Sequence, residues 1–325
     1  MKKTYRISLS LLITLMILIL ASCGGTENTK SSGSAKGEKR TVKIGYLPIT
    51  HAVPLFIEKE QEKYENFDLE LVKFGTWPEL IDALNTGNID GASMLVTLAM
   101  AAKEQGIDIK AVALGHRDGN VLVVGNEINS VEDLKGQNFA IPHKFSTHNI
   151  LLYQMLKQNG LEYTDVNVIE LAPAEMPAAL SEGRIKGYVV AEPFGAASVA
   201  IQNGKVLYQD NEIWKNSIDC SLVRGDDFIN GEKEIAEEFV KYYLEAGKTA
   251  DLKDEHTHEM SGKYMPVNKE VMELSFEWIV YDDLQIHEKD YAELTENLIE
   301  MGLQENPPSY EDFVDNSLFE KVKSQ

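Results

Sequence analysis

The chain has 325 residues and a formal net charge of −21 at pH 7, from 52 acidic and 31 basic side chains. Nucleic acid and anionic lipid headgroups are poor partners for so acidic a surface, which favours solubility and leaves the sign of a small ligand open. With only two cysteines, packing rather than a disulfide framework has to hold the fold, and a body of this size needs no such framework.

From the N-terminus, Lys2, Lys3 and Arg6 precede an apolar run from Leu9 to Leu20 and the small-residue stretch "LASC" at 20–23. That order is an export signal, and the apolar run is too short and wrongly flanked for a membrane span. The sequence "LASC" resembles the lipobox of bacterial lipoproteins. The resemblance implies cleavage of residues 1–22 and a lipid on Cys23, the alternative being an ordinary cysteine beside a secretory cleavage site. Cleavage removes three cations and no acid, so the mature charge is −21 − 3 = −24. Lipidation leaves Cys220 without an intramolecular partner. Residues 23–40 hold "GGTENTKSSGSAKGEKR", which offers no apolar side chain to bury and reads as a flexible tether.

Next come short β-rich runs, "TVKIGYL" (41–47), "DLELVKF" (68–74), "IDGAS" (89–93), "DIKAVALG" (108–115) and "VLVVG" (121–125), with helix-like segments near 53–63, 77–86 and 95–105. Such alternation predicts parallel βαβ units in an open α/β sheet. Thr76 and Glu79 form a candidate capping box, and Asn85-Thr86-Gly87 ends that helix. A second series runs from about 131 to 224: "QNFAIP", a helix over 146–159, "VNVIEL", a helix over 174–183, "GYVV", a helix from about 194, "KVLY" and "CSLVRG". Helices alone are expected beyond it, at 232–250, about 268–280 and 288–302. The pattern is a two-lobed α/β clamp, with residues 41–126 plus 225–325 in lobe I and 127–224 in lobe II.

In open α/β sheets the ligand crevice lies beyond the carboxyl ends of the strands. That rule collects the loops "LPITH", "GTW", "GASML" and "LGHRDGN" from the first lobe, and "IPHKFSTH" and "AEPF" from the second. They carry Thr50, His51, Trp77, Ser93, His116, Arg117, Asn120, His143, Ser146, Thr147, His148 and Glu192. Taken singly, each has a plainer reading. A strand-end histidine is usually a hydrogen-bonded surface residue, Trp77 a packing anchor, Arg117-Asp118 a solvated turn, and Glu192 an acid in a helix's first turn. Their convergence on one crevice is the argument for a site. Ser146 as N-cap leaves Thr147, His148 and Asn149 with unpaired N–H groups, a ready anion site, while Leu151, Leu152, Met155 and Leu156 bury the helix behind.

The stretches "IGYLPITHAVPLFIEKE", "GTWPELIDALNTGNIDGASML", "LGHRDGN", "STHNILLYQML" and "VVAEPFGAASVAIQNGKVL" together resemble the substrate-binding proteins, periplasmic or lipid-anchored, of nitrate/sulfonate/taurine/bicarbonate ABC importers. The resemblance implies a type II periplasmic-binding-protein (Venus-flytrap) fold with a helical C-terminal part. It further implies a monomer, lipid-anchored on the extracytoplasmic face of the cell membrane, that hands a small anionic or polar solute to a cognate permease and ATPase. It is not an enzyme and requires no cofactor. In that pattern Trp77 matches a cleft tryptophan, His148 an anion-facing Thr-His pair, Asn120 a polar ligand group, and Glu192 a position associated with bicarbonate and a bound cation. His51 and His143 depart from the nitrate branch. Together with His148 and Glu192 they give the cleft a zinc-type composition, so zinc or calcium there is expected as an option. Two alternatives stay open: a receptor for the thiamin pyrimidine or for zinc, and an exported metal-dependent enzyme, against which no nucleophile elbow or catalytic spacing is found. His256 and His258, two apart on a helix, share no face and read as surface.

Overall fold

The computed structural model describes residues 39–323. The signal segment 1–22, Cys23 and nearly all of the expected tether lie outside them. Arg40, at the tether's expected end, already belongs to a strand. Its guanidinium bonds Asp90 and Glu232, which anchors the chain where the folded body begins.

Among the described residues there are twelve strands: β1 (Arg40–Tyr46), β2 (Phe67–Lys73), β3 (Gly91–Leu95), β4 (Ile109–Leu114), β5 (Arg117–Asp118), β6 (Asn120–Val124), β7 (Asn138–Ile141), β8 (Asn167–Glu170), β9 (Gly187–Ala191), β10 (Lys205–Gln209), β11 (Cys220–Gly225) and β12 (Ile279–Val280). They make two five-stranded sheets, ordered β2-β1-β3-β11-β4 and β10-β6-β9-β7-β8, and a small ladder of β5 with β12. Each sheet with its helices is one lobe.

The expected parallel sheets are in fact mixed. β1 runs parallel to β2 and β3, but β11 is antiparallel to both β3 and β4. In the second sheet β7 is parallel to β8 and β9, whereas β6 is antiparallel to β9 and β10. The crossings therefore fall earlier than the sequence suggested. β6, expected in lobe I, pairs in the second sheet, and β11, expected in lobe II, sits in the middle of the first. Length and hydrophobicity identify a strand, but pairing partners decide its sheet.

Both lobes bury apolar runs on both faces, as helix-covered sheets require. In β6, Val121 and Val123 face one core while Leu122 and Val124 face the other, the two-residue period of a strand. The helix Thr147–Gln158 buries Leu151, Leu152, Met155 and Leu156 completely, and Ser146 caps it by accepting from Asn149 N. Beyond β11 the chain is helical, with Lys233–Ala250, Glu255–Gly262, Lys269–Glu277 and Glu288–Glu300 as its longer helices. Its one departure is β12, which pairs with the loop carrying His116. No described helix is long and apolar enough to cross a membrane.

Candidate functional site

Three loops meet at the crest of the first sheet. After β1 the chain makes a single 3-10 turn, Thr50–Ala52, which carries His51. After β4 comes Gly115 and then His116. Because β11 is antiparallel, its beginning rather than its end reaches the same crest, and this delivers Asp219 and Cys220: Gly115 N donates to Cys220 O, and Val96 N to Asp219 O. Gly115 is required here by space, since a Cβ on it would stand 2.4 Å from the His51 carbonyl oxygen. The second lobe supplies one side chain, His148, from the first turn of the helix Thr147–Gln158.

His51, His116 and His148 stand around Asp219. His51 Nδ1 lies 3.1 Å from Asp219 Oδ2, His116 Nε2 3.9 Å from the same oxygen, and His148 Nδ1 3.8 Å from Asp219 Oδ1. The rings of His51 and His116 stack at 3.5 Å. All four residues are buried to within 2% of full enclosure. Among the described residues, the one group of His, Cys, Asp and Glu side chains close enough to hold a metal is His51, His116, Asp219 and Cys220, whose donor atoms lie within 4.8 Å of one another.

Backbone carbonyls set the protons. His116 Nδ1 is 2.6 Å from Asp118 O and His51 Nε2 is 3.4 Å from Gly119 O. A carbonyl only accepts, so His116 Nδ1 carries a hydrogen and His116 Nε2 turns its lone pair toward Asp219, whereas His51 faces an acceptor on each side, Gly119 O and the Asp219 carboxylate. The pairing at His116 is the outer-shell arrangement of a metal-binding imidazole. Burial, with His51 alongside, pushes His116 well below the usual histidine range, and burial lowers His148 to about 4. Both are neutral at pH 7. Burial alone would raise Asp219, but His148, His51 and His116 around it outweigh that and hold the carboxyl below its usual range. The Cys220 thiol is pushed up by burial and by Asp219.

Four donor atoms in this chamber have no hydrogen-bond partner: His116 Nε2, both nitrogens of His148, and Asp219 Oδ1. Buried polar atoms are normally satisfied, each failure costing about 1–3 kcal/mol. His116 Nε2 and His148 Nδ1 both face the Asp219 carboxylate, a donor set that could hold a cation. An anion placed about 4 Å from Asp219 would be repelled by roughly 4 kcal/mol at an effective dielectric near 20.

The other expected site residues are spent elsewhere. Thr50 N and Oγ1 both donate to Glu192 O, at 2.8 and 3.1 Å, tying lobe to lobe. Glu192 Oε2 accepts from Ala196 N and Ser275 Oγ, and burial raises the carboxyl to about 8. A protonated acid held in this way is a poor metal ligand, so Glu192 is a lobe-closing group and not part of the cluster. His143 also leaves the metal set: half-buried, it accepts from Phe145 N through Nδ1 and lies against the Phe145 ring. Asn120 N and Nδ2 both donate to the buried Asp210. Ser93 lies inside β3 opposite Leu222, below the crest. Trp77 is a core residue with 2% exposure. Ser146 is the helix cap, and Thr147 Oγ1 donates across the lobes to Ile218 O. Arg117, expected in solvent, is 14% exposed and bonds Asp290 at 3.0 Å and the carbonyls of Asp283 and Gln285, pinning the His116 loop to the C-terminal helices. As expected, His256 is exposed. His258 packs on Phe276.

Asp219 was missed because the crevice rule inspects strand ends, and β11 contributes its start. Its signal was present: an acid before a cysteine at the head of an otherwise apolar strand.

Residues 35–263 match the model of the NMT1-like family. The structure superposes with a TM-score of 0.82 on the ligand-binding component of an ABC-type import system from Staphylococcus aureus, solved with zinc bound. The two are 40% identical, over 87% of this chain and 99% of that one. The periplasmic nitrate-binding protein NrtA from Synechocystis, 19% identical, shares the fold at a TM-score of 0.77, covering 88% of this chain and 89% of its own. Among curated sequences, the nitrate import ATP-binding protein NrtC of Synechocystis is 27% identical over 66% of this chain, and the match spans only 35% of that protein's length.

Proposed function

The chain belongs to the NMT1-like family, and from that membership we propose that it is the extracytoplasmic solute-binding component of an ABC importer whose cargo is a divalent transition-metal ion, zinc foremost. The observation that carries the reading is the cluster of buried, unpartnered donor atoms on His116, His148 and Asp219 beside His51 Nδ1. Three nitrogens and one carboxylate suit zinc, which takes about four N, O or S ligands. They do not suit calcium, which takes about 6–8 oxygens. The zinc held by the Staphylococcus aureus relative supports the same choice.

Four protein ligands leave no open position for a reacting water, so the site binds rather than hydrolyses. His148 alone comes from the second lobe, which ties the bound metal to lobe closure. Closed cargo then goes to a cognate permease and ATPase. On this reading residues 1–22 direct export and a lipid on Cys23 holds the monomer at the outer face of the membrane.

Protein stripped with chelator is melted with zinc, nitrate, bicarbonate, an alkyl sulfonate or an aminopyrimidine. Zinc is expected to raise the melting temperature and the others to leave it unchanged, with co-purifying metal identified by elemental analysis. Stabilisation of the stripped protein by one of the anions, with none by zinc, would overturn the reading.

A further inference from the structure

Cys220 has no place in the four-ligand set just described, yet it is completely buried in the same chamber. Its Sγ lies 3.4 Å from His51 Nδ1 and 3.8 Å from the Asp219 carboxylate. Zinc–nitrogen bonds of about 2.0–2.1 Å and a zinc–sulfur bond of about 2.3 Å place the corners of a tetrahedron about 3.3–3.6 Å apart. The separations His51–Asp219 (3.1 Å), His51–Cys220 (3.4 Å), Cys220–Asp219 (3.8 Å) and His116–Asp219 (3.9 Å) bracket that spacing. His51, His116, Asp219 and Cys220, whose donor atoms all lie within 4.8 Å of one another, thus form a compact set of four on the same crest.

The two sets differ in where they come from. His51, His116, Asp219 and Cys220 all stand on the crest of the first sheet, on loops that hydrogen bonds between Gly115 and Cys220 and between Val96 and Asp219 lock together. That set is complete without the second lobe. The set containing His148 exists only when the lobes are shut, because Thr147 and His148 arrive with the helix of lobe II and are held there by the bond from Thr147 Oγ1 to Ile218 O. A receptor that must seize its cargo while open needs a first-lobe set.

Resting on the metal-cargo reading above, we propose that Cys220 is a metal ligand, its thiolate completing with His51, His116 and Asp219 a capture site on lobe I to which His148 is added on closure. On binding, the S–H proton leaves to solvent and a metal–sulfur bond forms in its place, with no change of oxidation state. The consequence is selectivity. A thiolate biases the site toward zinc, cadmium and other thiophilic ions and away from manganese, magnesium and calcium.

Cobalt(II) is the probe, added to the full chain under reducing conditions. Its visible ligand-field bands report that metal is bound in a tetrahedral site, and a near-ultraviolet sulfur-to-cobalt charge-transfer band reports the thiolate. Both sets of bands are expected in the wild type, in Cys23→Ser, and in His148→Ala, which keeps the lobe I set. In Cys220→Ser the charge-transfer band is expected to vanish while the visible bands remain. X-ray absorption on the zinc-loaded wild type gives the same answer without any substitution, a sulfur neighbour being the expected result. Visible bands with no charge transfer in the wild type, or a charge-transfer band that survives in Cys220→Ser, overturn the thiolate and leave the metal reading standing. Absence of visible bands in the wild type overturns both.

Discussion

Asp219→Asn tests the metal site at its centre. The substitution keeps shape and volume but removes the carboxylate charge to which His51, His116 and His148 all turn within 3.9 Å. Without metal the change is destabilising, since His148, His51 and His116 outweigh burial and hold the carboxyl below its usual range, so that its charge stabilises the fold at neutral pH. With metal it is severe. Loss of an outer-shell partner of a metal ligand typically costs about 10–100-fold in affinity, so loss of a direct anionic ligand is expected to cost at least about a hundredfold. At a free zinc concentration of about 100 times the wild-type Kd, binding stabilises the wild type by about 2.7 kcal/mol. At about 2–4 °C per kcal/mol for a domain of this size class, that is a rise of about 5–10 °C. In the variant the same zinc is near Kd, worth about 0.4 kcal/mol, or roughly 1 °C. Paired melting curves with and without zinc measure the difference directly. Equal zinc-induced shifts in wild type and variant would refute the placement of Asp219 among the ligands.

Three further substitutions probe what holds the ligands and the lobes. Glu192 has a folded pKa of about 8, against an ordinary value of 4.5. Its contribution is therefore fully present below the ordinary value and is lost as pH rises through about 8. Glu192→Gln, which keeps an acceptor for Ala196 N and Ser275 Oγ, should flatten the fall of melting temperature between those limits; an unchanged slope in metal-free protein would count against a protonated Glu192. Gly115→Ala drives a Cβ against the His51 carbonyl and displaces both first-lobe histidine loops. Zinc affinity, read by competition with a chromophoric chelator, should drop more than tenfold while circular dichroism stays native. Arg117→Ala strips Asp290 of its partner and frees the His116 loop, for a loss of about 2–3 kcal/mol in denaturant unfolding. A loss below about 0.5 kcal/mol would return Arg117 to the solvated turn expected from sequence.

Much of the site could be read along the chain. The crevice rule brought His51, His116 and His148 onto one short roster, and all three stand around Asp219. What it could not do was rank that roster. His143 and Glu192 have the same chemistry and similar loop positions as the true neighbours, yet one turns back onto Phe145 N and the other onto Ala196 N and Ser275. Side-chain direction at a loop depends on a few backbone torsions and on what packs opposite, neither of which leaves a mark in residue spacing. Trp77 shows the same limit: helix propensity and capping placed it correctly at a helix start, and only packing decided that its ring fills the core.

By itself the sequence determined the kind of fold, because β-rich runs alternating with amphipathic segments can bury their apolar faces in few ways. It also determined the N-cap at Ser146 and the apolar face behind it, both being local. Only tertiary structure decided that β11 enters the first sheet backwards between β3 and β4. Strand direction is a long-range pairing choice that 3.3 to 3.4 Å per residue of extended chain does not record. That one choice carries Asp219 and Cys220 to the crest, beside His51 and His116.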